Sequence, residues 1–236
     1  MLEIKNLTKR YSGITAVDDV SLTVYEGETL GIIGTNGAGK TTLFNILTGF
    51  ETADAGHVLY KEQDITKFSQ TALVKLGFAR TFQNLRLFYP MTLRENLLVS
   101  AYACKKEPKT CDDLLRMVGL FQKRNHISSS LSYGEMRKLE IARAVATGAT
   151  VLFLDEPSAA MTKPEAIELG NTLDTLKQTY SITVVLIEHN MELVRQSCDR
   201  VYAMAEGKII SAGTPEKVLS DPAVTKTMLG RSYAKG

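Results

Sequence analysis

A glycine-rich stretch, GTNGAGKT at 34–41, constrains the fold of this chain more than any other feature. The preceding residues, TLGII at 29–33, are typical of a buried strand, and the residues after the stretch carry a helical pattern that ends near Gly49. Strand, glycine turn and helix in this order are typical of an α/β fold. The glycines let successive N–H groups point at one spot, next to the positive end of the helix dipole. The stretch therefore predicts a loop that binds phosphate.

The residue types of this loop predict its chemistry. Lys40 can neutralise the β- and γ-oxygens of a nucleoside triphosphate, and the Thr41 hydroxyl is placed for Mg²⁺. A structural glycine turn with a fortuitous lysine is the alternative, which the flanking strand and helix disfavour. The predicted nucleotide-binding residues of the loop are Asn36, Gly37, Ala38, Gly39, Lys40, Thr41 and Thr42.

The rest of the chain alternates between strand and helix patterns, with one helix-rich interruption. Between about 92 and 147, apolar residues recur every three or four positions in three helical stretches, and a further helix is predicted near 164–178. Further predicted strands lie at 2–4, 20–24, 151–155, 183–187, 200–204 and 208–213. This pattern indicates an α/β nucleotide-binding core interrupted by a helical insertion.

Composition and charge exclude several classes of protein. A formal net charge of +2 lacks the basic excess of a protein that grips a polyanion, so no nucleic acid partner is expected. Three cysteines without CxxC spacing favour reduced thiols in the cytosol. The first residues contain no signal-peptide core, and no run approaches the ~20 apolar residues that cross a bilayer. A role at a membrane is therefore expected to come through a partner.

Two adjacent carboxylates follow the apolar run VLFL at 151–154. A buried strand that ends in Asp155 carries this carboxylate to the edge of the sheet where α/β proteins bind ligands. Asp155 is suited to Mg²⁺, and Glu156 is suited to orienting or deprotonating an attacking water. A solvated acidic turn before Pro157 is the alternative. The phosphate loop in the same chain favours the functional interpretation.

Three further residues give weaker signals. His189 comes just after a second buried strand, where it can donate a hydrogen bond to a γ-phosphate. Gln83 lies in RTFQN, and Tyr11 in KRYSG offers an aromatic face to a purine. Taken singly, a surface histidine, a loop glutamine and a packed tyrosine are the commoner interpretations.

The stretch LSYGE at 131–135 has two interpretations. Ser132 and Glu135 stand three residues apart, which is the spacing of a capping box at the start of a helix. Gly134 leaves the backbone open to close approach, so the same helix tip can present N–H groups to a phosphate. In the second interpretation the phosphate belongs to another molecule.

In their order along the chain, these stretches resemble the ATP-binding cassette (ABC) ATPases. The resemblance covers nearly the whole chain and rests on RYSG, GTNGAGKT, Gln83, LSYGE, VLFLDEP and EHN. It implies an ABC ATPase fold with a RecA-like P-loop core, an antiparallel β edge subdomain and a helical insertion. The implied division of the single domain 1–236 places the core at about 1–88 and 148–236 and the helical subdomain at about 89–147. ATP and Mg²⁺ are the implied cofactors.

The resemblance also implies a role for each candidate in the ATP site. Lys40 and Thr41 would hold phosphate and Mg²⁺, and Tyr11 would stack on adenine. Asp155 would lie beside the metal, and Gln83 would link the metal site to the helical insertion.

The remaining implied roles concern the γ-phosphate. Glu156 would be the catalytic base, and His189 would contact the γ-phosphate. Ser132, Gly134 and Glu135 would close on the ATP that a second cassette holds. The implied site is therefore completed by two chains.

Three longer stretches, RTFQNLRLF, LSYGEMRKLEIARA and IEHNMELV, look more particularly like the ATPase subunits of branched-chain amino acid importers. This likeness implies a second cassette (identical or paralogous), integral membrane permease subunits and an extracytoplasmic solute-binding protein as partners. It implies a cytoplasmic protein, peripheral on the inner face of the cell membrane. A soluble ABC ATPase acting on nucleic acid or ribosomes and an exporter-type cassette are the alternatives.

Two stretches leave their roles open. After DEP, the sequence SAAMT places Met161 and Thr162 where the branched-chain family usually has leucine and asparagine, so the family's role for that stretch is not carried over. An apolar patch follows Gln83, and it is either a seam between insertion and core or a docking groove for a cytoplasmic helix of a membrane partner. The patch consists of Leu85, Leu87, Phe88, Tyr89 and Met91.

Overall fold

The computed structural model describes residues 1–104 and 109–229, and the side chains of 109, 110, 228 and 229 lie outside that description. Within these ranges the strands are β1 (Leu2–Tyr11), β2 (Ile14–Val24), β3 (Thr29–Gly34), β4 (Ala55–Tyr60), β5 (Gln63–Asp64), β6 (Phe78–Arg80), β7 (Val151–Asp155), β8 (Thr183–Ile187), β9 (Arg200–Ala205) and β10 (Lys208–Gly213). The helices are α1 (Lys40–Leu47), α2 (Gln70–Lys75), α3 (Leu93–Ala103), α4 (Lys109–Met117), α5 (Tyr133–Ala146), α6 (Lys163–Tyr180), α7 (Met191–Ser197), α8 (Pro215–Leu219) and α9 (Pro222–Leu229).

These strands form two sheets. The larger has the order β10-β9-β3-β8-β7-β6; its strands are parallel except for β10, which pairs antiparallel with β9. The smaller has the order β2-β1-β4-β5 and is antiparallel throughout. Because β3, β8 and β7 are neighbours and parallel, the segments that follow them emerge side by side at one edge of the larger sheet. Asp155 at the end of β7, Glu156 after it and His189 after β8 lie at that edge.

The larger sheet is buried on both faces, and successive residues of its strands point into two different cores. Ile32 packs with Phe44 of α1 and with the antiparallel sheet. Its neighbour Ile33 packs on the opposite side with Leu139 of α5 and the other helices of that face. A strand covered on both faces needs a continuous apolar run, which is the physical reason for TLGII, VLFL and TVVLI.

The helical insertion begins its helices with reciprocal caps. α3 starts at a capping box formed by Thr92 and Glu95, and α5 starts at one formed by Ser132 and Glu135. Leu139 of α5 is fully buried in the same core as Leu93 of α3. Among the described residues, no helix is long and apolar enough to cross a membrane.

The antiparallel sheet differs most from the sequence-based prediction. β1 and β2 extend to Leu2–Tyr11 and Ile14–Val24, well beyond the predicted 2–4 and 20–24. The added residues alternate irregularly between buried and exposed positions, and the pairing of the two strands contains register shifts. An irregular half-exposed strand carries a weak periodic signal, so these strands, and β4 beside them, were partly or wholly missed.

Candidate nucleotide-binding site

The glycine-rich loop passes so close to neighbouring backbone that side chains are excluded from two of its positions. A Cβ on Gly39 would lie 2.1 Å from the Ala16 carbonyl oxygen, and Gly39 has φ +98°. A Cβ on Gly34 would lie 2.3 Å from the Met204 carbonyl oxygen. Gly39 is the N-cap of α1 and provides no side-chain cap. The first N–H groups of this helix are therefore suited to an anionic ligand.

Lys40 lies inside the loop, with 6% of its surface exposed. Its Nζ donates hydrogen bonds to the carbonyl oxygens of Gly34 (2.8 Å) and Thr35 (3.0 Å). Burial lowers the pKa of Lys40, and the negative charges of Glu156 and Asp155 oppose that shift. The amine is thus held in the curl of the loop and faces the two carboxylates that follow β7.

The edge of the sheet brings together three residues that are far apart in sequence. The Glu156 Oε1 lies 2.9 Å from His189 Nε2, and Gln83 Nε2 donates to Glu156 Oε2 at 3.4 Å. Asp155, the last residue of β7, is buried, and its Oδ2 accepts a hydrogen bond from Arg80 at 3.0 Å. The carboxylate pair, the histidine and the glutamine therefore form one polar cluster opposite Lys40.

The backbone around Glu156 is held in an unusual conformation. Glu156 has φ +47°, a left-handed value that costs a non-glycine residue about 1–3 kcal/mol. Its N–H donates to the Ile187 carbonyl oxygen at 2.9 Å, across to the end of β8. Glu188, which is 2% exposed, accepts the N–H groups of Ser158, His189 and Asn190. Glu188 is not among the residues predicted from the sequence, although it directly follows the apolar run TVVLI, which is a detectable signal.

Tyr11 lies beside the start of α1. Burial and the nearby negative charge of Glu51 raise the pKa of its hydroxyl. Lys9 places its amine 5.3 Å from the ring centroid. The ring remains 39% exposed, so one of its surfaces is open to a ligand.

The LSYGE tip is a capping box, as its spacing predicts. Ser132 accepts from the Glu135 N–H, and Glu135 accepts from the Ser132 N–H. Glu135 also pairs with Lys123. None of the hydrogen bonds and ion pairs found among the described residues joins Ser132 to Lys40 or His189. Arg137 instead donates both to the Tyr133 hydroxyl of the tip and to the Gln83 carbonyl oxygen, so it connects the tip to the loop that reaches Glu156.

The atypical SAAMT stretch has a local structural role. Thr162 is the N-cap of α6 and forms a capping box with Glu165. A Cβ on Gly134 would lie 3.2 Å from the Glu165 Oε1, so the start of α6 packs against the tip of α5. The sequence after DEP therefore positions the LSYGE tip from within the same chain.

A buried arginine that was not predicted from the sequence, Arg137, holds the loop that carries Gln83. Arg137 of α5 has no exposed surface, and its guanidinium donates to the carbonyl oxygens of Phe82 (2.7 Å) and Gln83 (2.9 Å). It also pairs with Glu140 at 2.7 Å and donates to the Tyr133 hydroxyl at 3.0 Å. Arg137 is not among the residues singled out from the sequence, because only its burial distinguishes it from an arginine on a solvated helix face.

The apolar patch after Gln83 divides into buried and exposed members. Leu87 is buried in the helical core, whereas Phe88 and Tyr89 are 43% and 42% exposed. Asn96 and Ser128 bond the backbone of Phe88 and hold this turn in place. Leu85 and Met91 are half-buried.

An apolar groove of about 160 Å³ lies nearby. It is lined by Thr48, Phe50, Gln70, Leu73, Val74, Phe78, Ala79, Arg80 and Phe82. A second recess of about 180 Å³ shares part of this lining and adds Arg143, whose guanidinium lies 5.2 Å from the Phe88 ring centroid. The exposed half of the patch therefore borders a continuous concave surface.

The donor atoms around Asp155 suit a hard divalent cation. In the described part of the chain, no group of three or more His, Cys, Asp or Glu side chains is arranged to hold a metal ion. Asp155 instead offers a single buried carboxylate, and Thr41 offers an exposed hydroxyl. The Gln83 amide donates a hydrogen bond from its Nε2 to Glu156, which leaves its oxygen for a cation. Mg²⁺ is usually bound in this way, through one or two carboxylates together with the phosphates of a nucleotide.

Comparisons with known proteins agree with this geometry. The family model described as ABC transporter matches residues 17–159. The high-affinity branched-chain amino acid transport ATP-binding protein LivG of Escherichia coli is 36% identical, with 98% of both chains covered. The lipopolysaccharide export system ATP-binding protein LptB of Escherichia coli is 32% identical, again with 98% of both chains covered.

Solved structures show the same fold. The ADP conformation of MJ1267, an ATP-binding cassette of an ABC transporter, superposes with a TM-score of 0.89 at 32% identity and covers 98% of both chains. The dimeric post-hydrolysis structure of the cassette MJ0796, bound to ADP and Pi, has a TM-score of 0.79 at 25% identity and covers 91% of this chain and 99% of that chain. The predicted fold class, an ABC ATPase fold with a P-loop core and an antiparallel β subdomain, is confirmed. This chain belongs to the ABC transporter family and is an ATP-binding subunit that hydrolyses ATP.

Proposed function

We propose that this ATPase powers the import of branched-chain or related amino acids through separate membrane subunits. The observation that carries the proposal is the cluster in which Glu156 contacts both His189 and Gln83 at the sheet edge facing Lys40. Such a cluster supports turnover rather than passive nucleotide binding. The branched-chain amino acid transport protein LivG, whose alignment covers 98% of this chain, supports the choice of solute.

We assign the nucleotide contacts as follows. Tyr11 stacks its open ring face on the adenine, and the backbone N–H groups around Gly37 and Gly39 cradle the phosphates. Lys40 exchanges its carbonyl partners for β- and γ-phosphate oxygens, which satisfy a buried ammonium better. Thr41 completes the phosphate site together with the remaining predicted residues of the loop, Asn36, Ala38 and Thr42.

The hydrolytic step is assigned to the cluster after β7 and β8. Bound Mg²⁺ would neutralise charge on the phosphates, and Asp155, Thr41 and Gln83 are the residues that would hold it. Glu156 accepts a proton from the attacking water. His189 donates a hydrogen bond toward the γ-phosphate as its negative charge develops.

A second cassette is proposed to complete the site. Ser132 is exposed at the LSYGE tip, at the start of α5, and Gly134 lies beneath it, buried against Glu165. A facing copy, identical or paralogous, would bring Ser132, Gly134 and Glu135 onto the bound γ-phosphate. The dimer of MJ0796 supports this arrangement because that cassette covers most of this chain.

The concave surface beside Phe88 is proposed as the docking site for a cytoplasmic helix of a membrane subunit. Apolar side chains predominate in the lining of the 160 Å³ groove, and the exposed Phe88 lies next to Arg143, which lines the second recess, so an amphipathic helix can bury Phe88 there. If the core spans about 1–88 and 148–236 and the helical subdomain about 89–147, the recess of about 180 Å³ is lined by residues of both. The chain would thereby be peripheral on the inner face of the cell membrane.

An exporter-type cassette is the second candidate because LptB also matches over the whole chain. Import requires an extracytoplasmic solute-binding protein, whereas lipopolysaccharide export would not. Co-expression with candidate permease and solute-binding subunits, followed by uptake of labelled leucine into vesicles, separates the two. Uptake that depends on the binding protein is expected.

The catalytic assignment is tested with Glu156→Gln. This change keeps the contacts to His189 and Gln83 but removes the basic carboxylate, so turnover is expected to fall about 100-fold or more while ATP still binds. Turnover is measured by phosphate release and binding with a fluorescent ATP analogue. Undiminished turnover in this variant would contradict the assignment of the base.

A further inference from the structure

Arg80 connects three elements beneath the proposed metal site. It ends β6, and its side chain is 7% exposed. One terminal nitrogen donates to Asp155 Oδ2 at 3.0 Å, and the other donates to Asn45 Oδ1 at 2.7 Å and Thr48 Oγ1 at 3.0 Å. Asn45 belongs to α1, and Thr48 is its C-cap. One guanidinium therefore connects the helix after the phosphate loop to Asp155, the last residue of β7.

Aromatic rings hold this guanidinium in place. Its central carbon lies 5.7 Å from the Phe44 ring centroid, 5.4 Å from that of Phe50 and 5.2 Å from that of Phe82. Rings on several sides restrict both the position and the tilt of the planar cation. Phe82 directly precedes Gln83, so the same enclosure includes the loop that reaches Glu156.

This arrangement fixes the orientation of the Asp155 carboxylate. The terminal torsion of an aspartate is broad and roughly two-fold, so a carboxylate without a partner turns readily. With Oδ2 committed to Arg80, Oδ1 is the oxygen left for a cation. The positive charge of Arg80 weakens the attraction for a cation, but Mg²⁺ demands near-ideal geometry, so orientation outweighs that loss.

We propose that Arg80 is a positioning residue that orients Asp155 for Mg²⁺ in the nucleotide site. The inference rests on the proposed assignment of Asp155 to the metal. It adds a residue on which Mg²⁺-dependent nucleotide binding depends, although that residue touches neither nucleotide nor metal. Arg80 also lines the apolar groove of about 160 Å³, so it connects that surface directly to Asp155.

The test compares Arg80→Met and Arg80→Lys with the matched control Arg86→Met. The Arg86 guanidinium also stacks on Phe82, with its central carbon 3.6 Å from the ring centroid. The hydrogen bond from Arg86 to the Glu140 carboxylate comes from its backbone N–H, so replacing the side chain leaves it in place. Affinity for a fluorescent ATP analogue is measured with and without Mg²⁺, alongside kcat, KM and melting temperature. The quantity of interest is the gain in affinity that Mg²⁺ confers.

In Arg80→Met the gain from Mg²⁺ and kcat are each expected to fall about tenfold or more, the worth of one hydrogen bond to a charged group. Affinity without Mg²⁺ is expected to stay within about twofold, since the loop residues bind the phosphates. Arg80→Lys keeps the charge but cannot reach all three partners at once, so an intermediate loss of about threefold is expected. Arg86→Met should behave like wild type.

A wild-type gain from Mg²⁺ in both Arg80 variants would overturn the inference, whatever their melting temperatures. An equal loss of the Mg²⁺-dependent gain in affinity in Arg86→Met would also overturn it. Removing any positive charge near Phe82 would then be enough to cause the loss. If Arg80→Met does not fold, Arg80→Lys alone decides the outcome. Failure of the proposed metal site would be distinguishable, since Mg²⁺ would then confer no gain in nucleotide affinity on the wild type.

Discussion

Removing Arg137 should destabilise the protein more than removing any comparable exposed arginine. The change Arg137→Met keeps most of the side-chain volume but leaves Glu140, which is 3% exposed, without its cationic partner. It also removes the donors to the Phe82 and Gln83 carbonyl oxygens. Breaking a buried ion pair from one side costs about 3–5 kcal/mol of unfolding free energy. For a chain of this length that corresponds to a fall of about 6–20 °C in melting temperature.

The loss should depend on pH in a direction set by Glu140. Burial raises the pKa of Glu140, and the charge of Arg137 opposes that shift, so the variant should have a still higher pKa. A carboxyl with a raised pKa in the folded state contributes stability at low pH that is lost as pH rises through the folded pKa. The deficit relative to wild type should therefore be largest at about pH 8 and smaller at about pH 5.

Two matched variants separate the buried charge from the lost hydrogen bonds. Arg116→Met removes an ion pair of the same spacing, Arg116 with Asp113, whose side chains are 53% and 62% exposed. Its cost, including the contact with the Phe121 ring, should be at most about 1.5 kcal/mol. The double change Arg137→Met with Glu140→Leu should recover about 2 kcal/mol of the single loss, because no buried charge is left uncompensated.

Urea denaturation followed by circular dichroism, together with thermal melting, measures these differences. A loss in Arg137→Met no larger than in Arg116→Met would refute the attribution to a buried, uncompensated carboxylate. A loss that is equally large at both pH values would show that the broken carbonyl contacts, and not Glu140, dominate.

Three further changes test other parts of the structure. Gly39→Ala places a Cβ 2.1 Å from the Ala16 carbonyl oxygen at φ +98°, so ATP affinity measured by fluorescence should fall at least about tenfold. Phe88→Asp should uncouple ATP hydrolysis from the membrane partner in reconstituted vesicles while ATP binding persists; loss of binding as well would favour the seam interpretation. Mixing a Ser132→Arg variant with a Glu156→Gln variant should restore part of the ATPase activity, because mixed dimers contain one intact site. No restoration would contradict action of the LSYGE tip across the dimer.

Local features of the site were predictable because their physical causes lie within a few neighbouring residues. The glycine turn before Lys40 needs positive φ values and close backbone approach, which residue type alone reveals. The capping box of Ser132 and Glu135 closes over three residues. The buried strand that ends in Asp155 is recognisable in the sequence as an apolar run.

Contacts between distant segments could not be predicted in this way. Arg80 and Asp155 are 75 positions apart, and Arg137 and Phe82 are 55 apart. A charged residue followed by apolar ones looks the same whether its guanidinium is solvated or enclosed. Its burial depends on which strands become neighbours in the sheet, and that order is a property of the whole fold.

The sequence by itself determined the family of this protein, its phosphate loop and the identity of its acids, since these follow from residue type and short spacing. The tertiary structure alone decided that Glu156 contacts both His189 and Gln83, that Leu87 is buried while Phe88 is exposed, and that Arg137 is buried against the loop that carries Gln83. The physical reason is that parallel strand order and two-sided burial place remote segments together. Each carboxylate and cation acquires its environment only through that packing.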